Sequence, residues 1–78
     1  MKEQSPMTPE QSFFAVFCIE SLSDELGVKG DEIYALLTKK SNILDSYIIP
    51  NYDSLHTQGK GYIVDELTSL MEKYGVIK

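Results

Sequence analysis

The chain has 78 residues, 42% apolar and 10% aromatic, which bounds it to one small globular domain rather than a disordered segment. Twelve acidic residues against seven basic ones give a formal charge of −5, and every basic residue is a lysine. With no arginine fork for phosphates or guanine edges and little positive charge, nucleic acid is not expected as a partner.

Residues 1–7 are polar around Ser5-Pro6 and are expected to form a flexible lead-in to a single helical domain over 8–78. Met1-Lys-Glu-Gln-Ser-Pro6 has mixed charge and no apolar region of the signal-peptide kind. A cytoplasmic location is therefore expected. No apolar stretch approaches the ~18 residues needed to span a bilayer, so no membrane association is expected either.

Thr8-Pro-Glu-Gln11 reads as a helix start. Thr8 can cap, Pro9 suits the first helical position because its missing N–H would be unpaired there anyway, and Gln11 can complete a capping box. The predicted helix runs from Pro9 to Leu26, where Gly27 supplies the left-handed residue that commonly ends a helix. Its first half, Phe13-Phe-Ala-Val-Phe-Cys-Ile19, is apolar almost all round. Such a helix is either central to the fold or covered by a second chain. Leu22 and Leu26 are expected inward, with Glu20, Asp24 and Glu25 outward. Cys18, the lone cysteine, excludes an intramolecular disulfide and reads as a small buried hydrophobe in a reducing compartment.

After a turn at Val28-Lys-Gly30, Asp31-Glu32 opens a second helix with acids at its positive end. Ile33, Leu36 and Leu37 form its inner face, and Lys39-Lys40 are expected to close it. A brief third helix over Ile43–Ile49 stops before Pro50, since the residue preceding proline is pushed out of helical geometry. Asn51 is expected to cap a short turn or helix over Tyr52–Thr57. Gln58-Gly-Lys-Gly61 then serves as a joint into a last helix over Lys60–Tyr74. Ile63, Leu67, Leu70, Met71 and Tyr74 form a single stripe on that helix, and Gly75 ends it. The expected architecture is an all-α bundle of four or five helices.

Phe14 to Glu20 (Phe-x-x-Phe-Cys-Ile-Glu), Tyr47-Ile-Ile-Pro50, and Tyr52-Asp-x-Leu-His-Thr-Gln-Gly59 followed by Tyr62-Ile-Val-Asp65 resemble a family of short bacterial proteins, domain of unknown function 3791. The resemblance covers nearly the whole chain after its first residues. Gly61 departs from it, standing where a helix-friendly residue is expected. The family has no assigned activity and transfers no catalytic residues. Members are encoded near other small bacterial proteins of unknown function, some of them resembling ADP-ribosyltransferase-like toxins, so the resemblance implies a companion or antitoxin-like role beside a toxin-like neighbour.

The richest polar cluster is Tyr52, Asp53, His56, Thr57 and Gln58. On a helical turn, His56 sits three residues from Asp53 and four from Tyr52, so an Asp-oriented imidazole could serve as base or recognition group. The competing and preferred reading is a structural histidine that hydrogen-bonds the chain across the junction. A Cys18–His56 pair would need an exposed thiolate, which the apolar neighbours of Cys18 oppose. One histidine and one cysteine cannot complete a tetrahedral metal set by themselves, and the acids lack calcium-loop spacing, so no metal or other cofactor is expected. Gly59-Lys-Gly61 lacks the spacing and the Ser/Thr of a phosphate loop and reads as a simple joint.

The expectation is therefore a non-enzymatic protein–protein interaction module. Phe13 and Phe17 supply the apolar anchor, Tyr52, Asp53, His56 and Gln58 a polar junction, and the acidic surface faces a basic partner protein of unknown identity. Two rivals stay open: a small ligand binder or enzyme centred on Tyr52, Asp53 and His56, and a protein that associates with its own copies.

Overall fold

Thr8 and Gln11 begin the fold by satisfying each other's backbone. The Gln11 N–H donates to Thr8 Oγ1 and the Thr8 N–H donates to Gln11 Oε1, both at 3.1 Å, in a computed structural model that describes residues 8–77. The predicted lead-in over 1–7 lies outside the described residues. From that capping box α1 runs Pro9–Leu26. It is followed by α2 (Gly30–Thr38), a π-helical turn (Leu44–Ile48), α3 (Tyr52–Leu55) and α4 (Lys60–Lys73), with no strand among the described residues. The expected all-α bundle is the architecture found.

Gly27 stops α1 at φ +68°, a conformation in which a Cβ would crowd the backbone. Its N–H and that of Val28 both return to the Ser23 carbonyl, at 2.9 and 3.3 Å. This reversal lays α2 back along α1, and α4 packs on α1 as well, so α1 is the central element. Phe14, Ala15, Cys18 and Leu22 of α1 meet Ile33 and Leu37 of α2, and Ile63, Leu67 and Met71 of α4, in one buried cluster. Ile43, Leu44 and Ile48 close it from the π turn, and Leu55 from α3. Tyr47 Oη donates to Glu66 Oε1 at 3.1 Å, which ties the π turn to α4. Partial burial, and secondly the Glu66 carboxylate, push the Tyr47 phenol above its ordinary pKa.

Lys39 and Lys40 close α2 after its last residue Thr38, as expected: Lys39 is the cap, and both N–H groups donate to the Ala35 carbonyl. Three local expectations are corrected. Ile49, before Pro50, keeps right-handed helical angles of −70° and −47°. The turn beneath it has widened: the Ile49 N–H donates to Leu44, five residues back, at 3.0 Å. A wider turn is compatible with a following proline, which needs no acceptor and must avoid the carbonyl four residues back. Asn51 does not cap α3 with its side chain; its amide donates backwards to the Tyr47 carbonyl at 2.8 Å. Tyr74 is exposed at the end of α4, so the buried stripe there is Ile63, Val64, Leu67 and Met71.

Candidate interaction surface

Successive residues on α1 turn by about 100°, so the apolar run 13–19 must divide between inside and outside. Phe14, Ala15 and Cys18 share a face with Leu22 and enter the core. Phe13, Val16 and Phe17 share the opposite face, where they are 78%, 50% and 40% exposed. Further along that face, at four and seven residues beyond Val16 or Phe17, stand the exposed acids Glu20 and Asp24. The surface is thus apolar over Phe13–Phe17 and acidic from Glu20 to Asp24. No lysine lies anywhere in α1, which carries Glu10, Glu20, Asp24 and Glu25. The nearest cation is Lys60 Nζ at the start of α4, 3.6 Å from Asp24 Oδ2 in an exposed pair.

Beside Phe13 the helix surface opens into a shallow groove of about 310 Å³ lined by Pro9, Ser12, Phe13 and Val16. A second cleft, between α1 and α4, is lined by Glu25, Lys60, Gly61, Val64 and Asp65. Neither cleft includes Tyr52, Asp53 or His56.

The polar junction is built differently from its anticipated form. His56 lies flat on Tyr52, ring centroids 4.5 Å apart and planes within 5°. Its Nδ1 is 2.8 Å from the Tyr52 carbonyl, an acceptor, so this ring nitrogen is the protonated donor. The same carbonyl accepts the His56 N–H at 2.9 Å. Asp53 is exposed and forms no hydrogen bond or ion pair to His56 among the described residues. The ring is therefore held by the chain one turn back rather than by a carboxylate. Gln58 is also exposed, and its backbone N–H donates to Leu55. Gly59 stands before α4 with extended angles, and the helix begins at Lys60, as expected, which leaves Gln58 and Gly59 as the joint.

Phe14 joins the two groups of candidate residues. Its ring stacks at 6.2 Å on Phe17 and meets the Tyr52 ring edge-on at 5.5 Å. An aromatic row thus runs Phe17, Phe14, Tyr52, His56 from the α1 surface to α3. Sequence reasoning missed Phe14 in this role. The signal was present: Phe14 is in helical phase with Ser21 and Leu22, whereas Phe13 is in phase with Glu20 and Asp24. Cys18 is fully buried, and burial raises its thiol to a pKa of about 12, so it stays protonated and unreactive at neutral pH. Among the described residues no group of three or more His, Cys, Asp or Glu is placed to hold a metal ion. No helix among them is long and apolar enough to cross a membrane.

A family described as Protein of unknown function (DUF3791) matches residues 13–74. The chain belongs to the DUF3791 family. No curated protein and no solved structure matches it. The matched segment of this DUF3791 chain begins at Phe13 and takes in the exposed α1 face, the aromatic row and the whole of α4. The Thr8–Gln11 capping box falls outside it.

Proposed function

We propose that this chain is a non-enzymatic, cytoplasmic protein–protein interaction module that binds a partner through the outer face of α1. The carrying observation is the joint exposure of Phe13, Val16 and Phe17 on a helix whose other face is already fully used by the core. Fully covering an exposed large apolar side chain contributes about 1.5–3 kcal/mol; Phe13 approaches that case, while Val16 and Phe17, half exposed or less, add a smaller share. Single exposed apolar residues are ordinary on proteins, but a contiguous set on one rigid helix is the usual form of a docking patch. The acids beyond it favour a basic rim on the partner. In its finer form the reading makes the partner a toxin-like neighbour and this chain its antitoxin-like companion. Its support is the association implied by the family resemblance; the face itself specifies only an apolar centre with a basic surround.

The rival site at Tyr52, Asp53 and His56 is less well supported. Its imidazole is committed to a backbone carbonyl, Asp53 makes no hydrogen bond to it among the described residues, and neither cleft described above includes it.

The test is co-purification from lysate of the source cells with the chain and its Phe13→Asp variant as baits. Any protein lost in the variant is then purified and mixed with the chain. A stoichiometric complex formed by the wild-type chain and not by a folded Phe13→Asp variant supports the reading. Identical captures by both baits overturn it, and the His56 junction then becomes the region to probe with small ligands.

A further inference from the structure

The groove beside Phe13 is lined by Pro9, Ser12, Phe13 and Val16, residues i, i+3, i+4 and i+7 of one helix. That diamond is the hole into which a facing helix inserts one side chain when two helices pack knobs into holes. The next diamond along the same face is Phe13, Val16, Phe17 and Glu20, apolar at three corners and anionic at the fourth. One turn further on the face is carboxylate, at Glu20 and Asp24. Spacing and charge thus change together along the axis of α1.

We propose that the occupant of this face is a single amphipathic helix of another protein. Its apolar side chains fill the Pro9–Val16 and Phe13–Glu20 diamonds, and its lysines or arginines lie over Glu20 and Asp24. This assignment rests on the reading of α1 as an interaction face and names the chemistry of the partner. A second copy of the chain fits poorly. Its own α1, which carries four acids and no cation, would set Glu20 and Asp24 beside the same acids, with only Lys60, 3.6 Å from Asp24, to offset them. An anionic membrane surface meets the same repulsion. A basic helix meets neither, and a facing helix can reach both diamonds and both acids because all lie on one side of a single 18-residue helix.

The probe is a pair of synthetic helical peptides sharing one heptad pattern of leucines, one flanked by lysines and the other by glutamates. Each is titrated onto the full chain by fluorescence anisotropy at low and at high salt. The lysine peptide is expected to bind on the order of tenfold tighter than the glutamate peptide, with the advantage shrinking at high salt as charges are screened. Glu20→Gln combined with Asp24→Asn should remove most of that advantage while leaving the circular dichroism and the melting temperature of the chain in place. Phe13→Asp should remove binding of both peptides. Equal affinity for the two peptides, or no binding of either at millimolar concentration, overturns the basic-helix assignment. The same holds if sedimentation shows dimers that Phe13→Asp dissolves, which would make a second copy the occupant. Binding to phosphatidylserine vesicles with indifference to the peptides would instead assign the face to a membrane. The wider interaction reading falls on a different result, the unchanged capture by the Phe13→Asp bait, so the two failures are distinguishable.

Discussion

Phe13 and Phe14 are adjacent and chemically identical, yet one is 78% exposed and the other 8%. A rotation of 100° about the α1 axis separates them, and everything that differs between them follows from it. Phe14 meets Phe17 and Tyr52 and belongs to the cluster that holds α1, α2 and α4 together. Phe13 meets a shallow groove and solvent. Apolar composition therefore reports two separate things on one helix. On the inner face it is stability already realised in the fold, and on the outer face it is apolar area still open to solvent.

The comparison is broken most directly by truncating both rings. Phe14→Ala should destabilise the fold by about 3–5 kcal/mol in urea unfolding, since it empties a core position and removes the edge contact to Tyr52. For a domain of this size that is a large part of the total, so the variant is expected to be partly unfolded at room temperature. A loss under about 1 kcal/mol would mean that the aromatic row contributes little and that the core is held by α2 and α4 alone.

The buried thiol gives a second reading of the inner face, by pH. Cys18 titrates near 12 when folded against 9.0 when free, so its raised value marks a group the fold prefers neutral. Below pH 9 both states keep the proton and the preference is fully present. Between pH 9 and 12 the unfolded chain releases it first, and stability should fall by up to about 1.4 kcal/mol per pH unit. Tyr47, also raised, adds to the fall with the same sign. The check is chemical denaturation from pH 8 to 11 on Cys18→Ala beside the wild type. The variant should begin about 1 kcal/mol less stable and show a shallower decline. Parallel declines would mean that water reaches the thiol and that the inner face is looser than its packing implies.

Much of this was legible where the physics is local. Thr8, Pro9, Gln11 and Gly27 bounded α1 correctly because caps are short-range hydrogen-bond chemistry. The burial of Cys18 followed from its neighbours. What was not legible depended on distant partners. Asn51 could accept forward from a backbone N–H of α3 or donate its amide backward to the Tyr47 carbonyl, and the backward choice is made by how the π turn sits on the core. The π turn arises from fitting Ile43, Leu44 and Ile48 into one cluster while Pro50 follows, and no local pattern announces it. His56 and Asp53 had the spacing to pair, but Tyr52 offered a stacking face and a carbonyl closer at hand. The exposed stripe itself could be drawn from helical phase, since Phe13, Glu20 and Asp24 share one side.

His56 sharpens the comparison at the far end of the aromatic row. As a structural residue with buried, unpaired partners on removal, it would be expected to contribute about 1–3 kcal/mol. Its exposure and the second donor on the Tyr52 carbonyl reduce that figure, since no buried group is stranded when the ring is cut away. His56→Ala should therefore reduce stability by only about 0.5–1 kcal/mol, the scale of an exposed aromatic stack. It should leave capture of the partner unchanged. A variant with full stability that loses its partner would move the functional surface from α1 to α3.

The smallest expected effect on folding belongs to Phe13, and it is the most decisive. Phe13→Asp lies in the second turn of α1, past the reach of the helix end, where a weak helix former is mildly disfavoured. With the ring already in solvent, little packing is given up, so unfolding free energy should stay within about 0.5 kcal/mol of wild type with the same dependence on urea. Should the substitution instead reduce stability by 2 kcal/mol or more, Phe13 would be a core residue like Phe14. The outer face of α1 would then be structure rather than surface, and the distinction between the two rings would close. If stability holds and partner capture is lost, the same 100° that removes Phe13 from the core is what makes it available for binding.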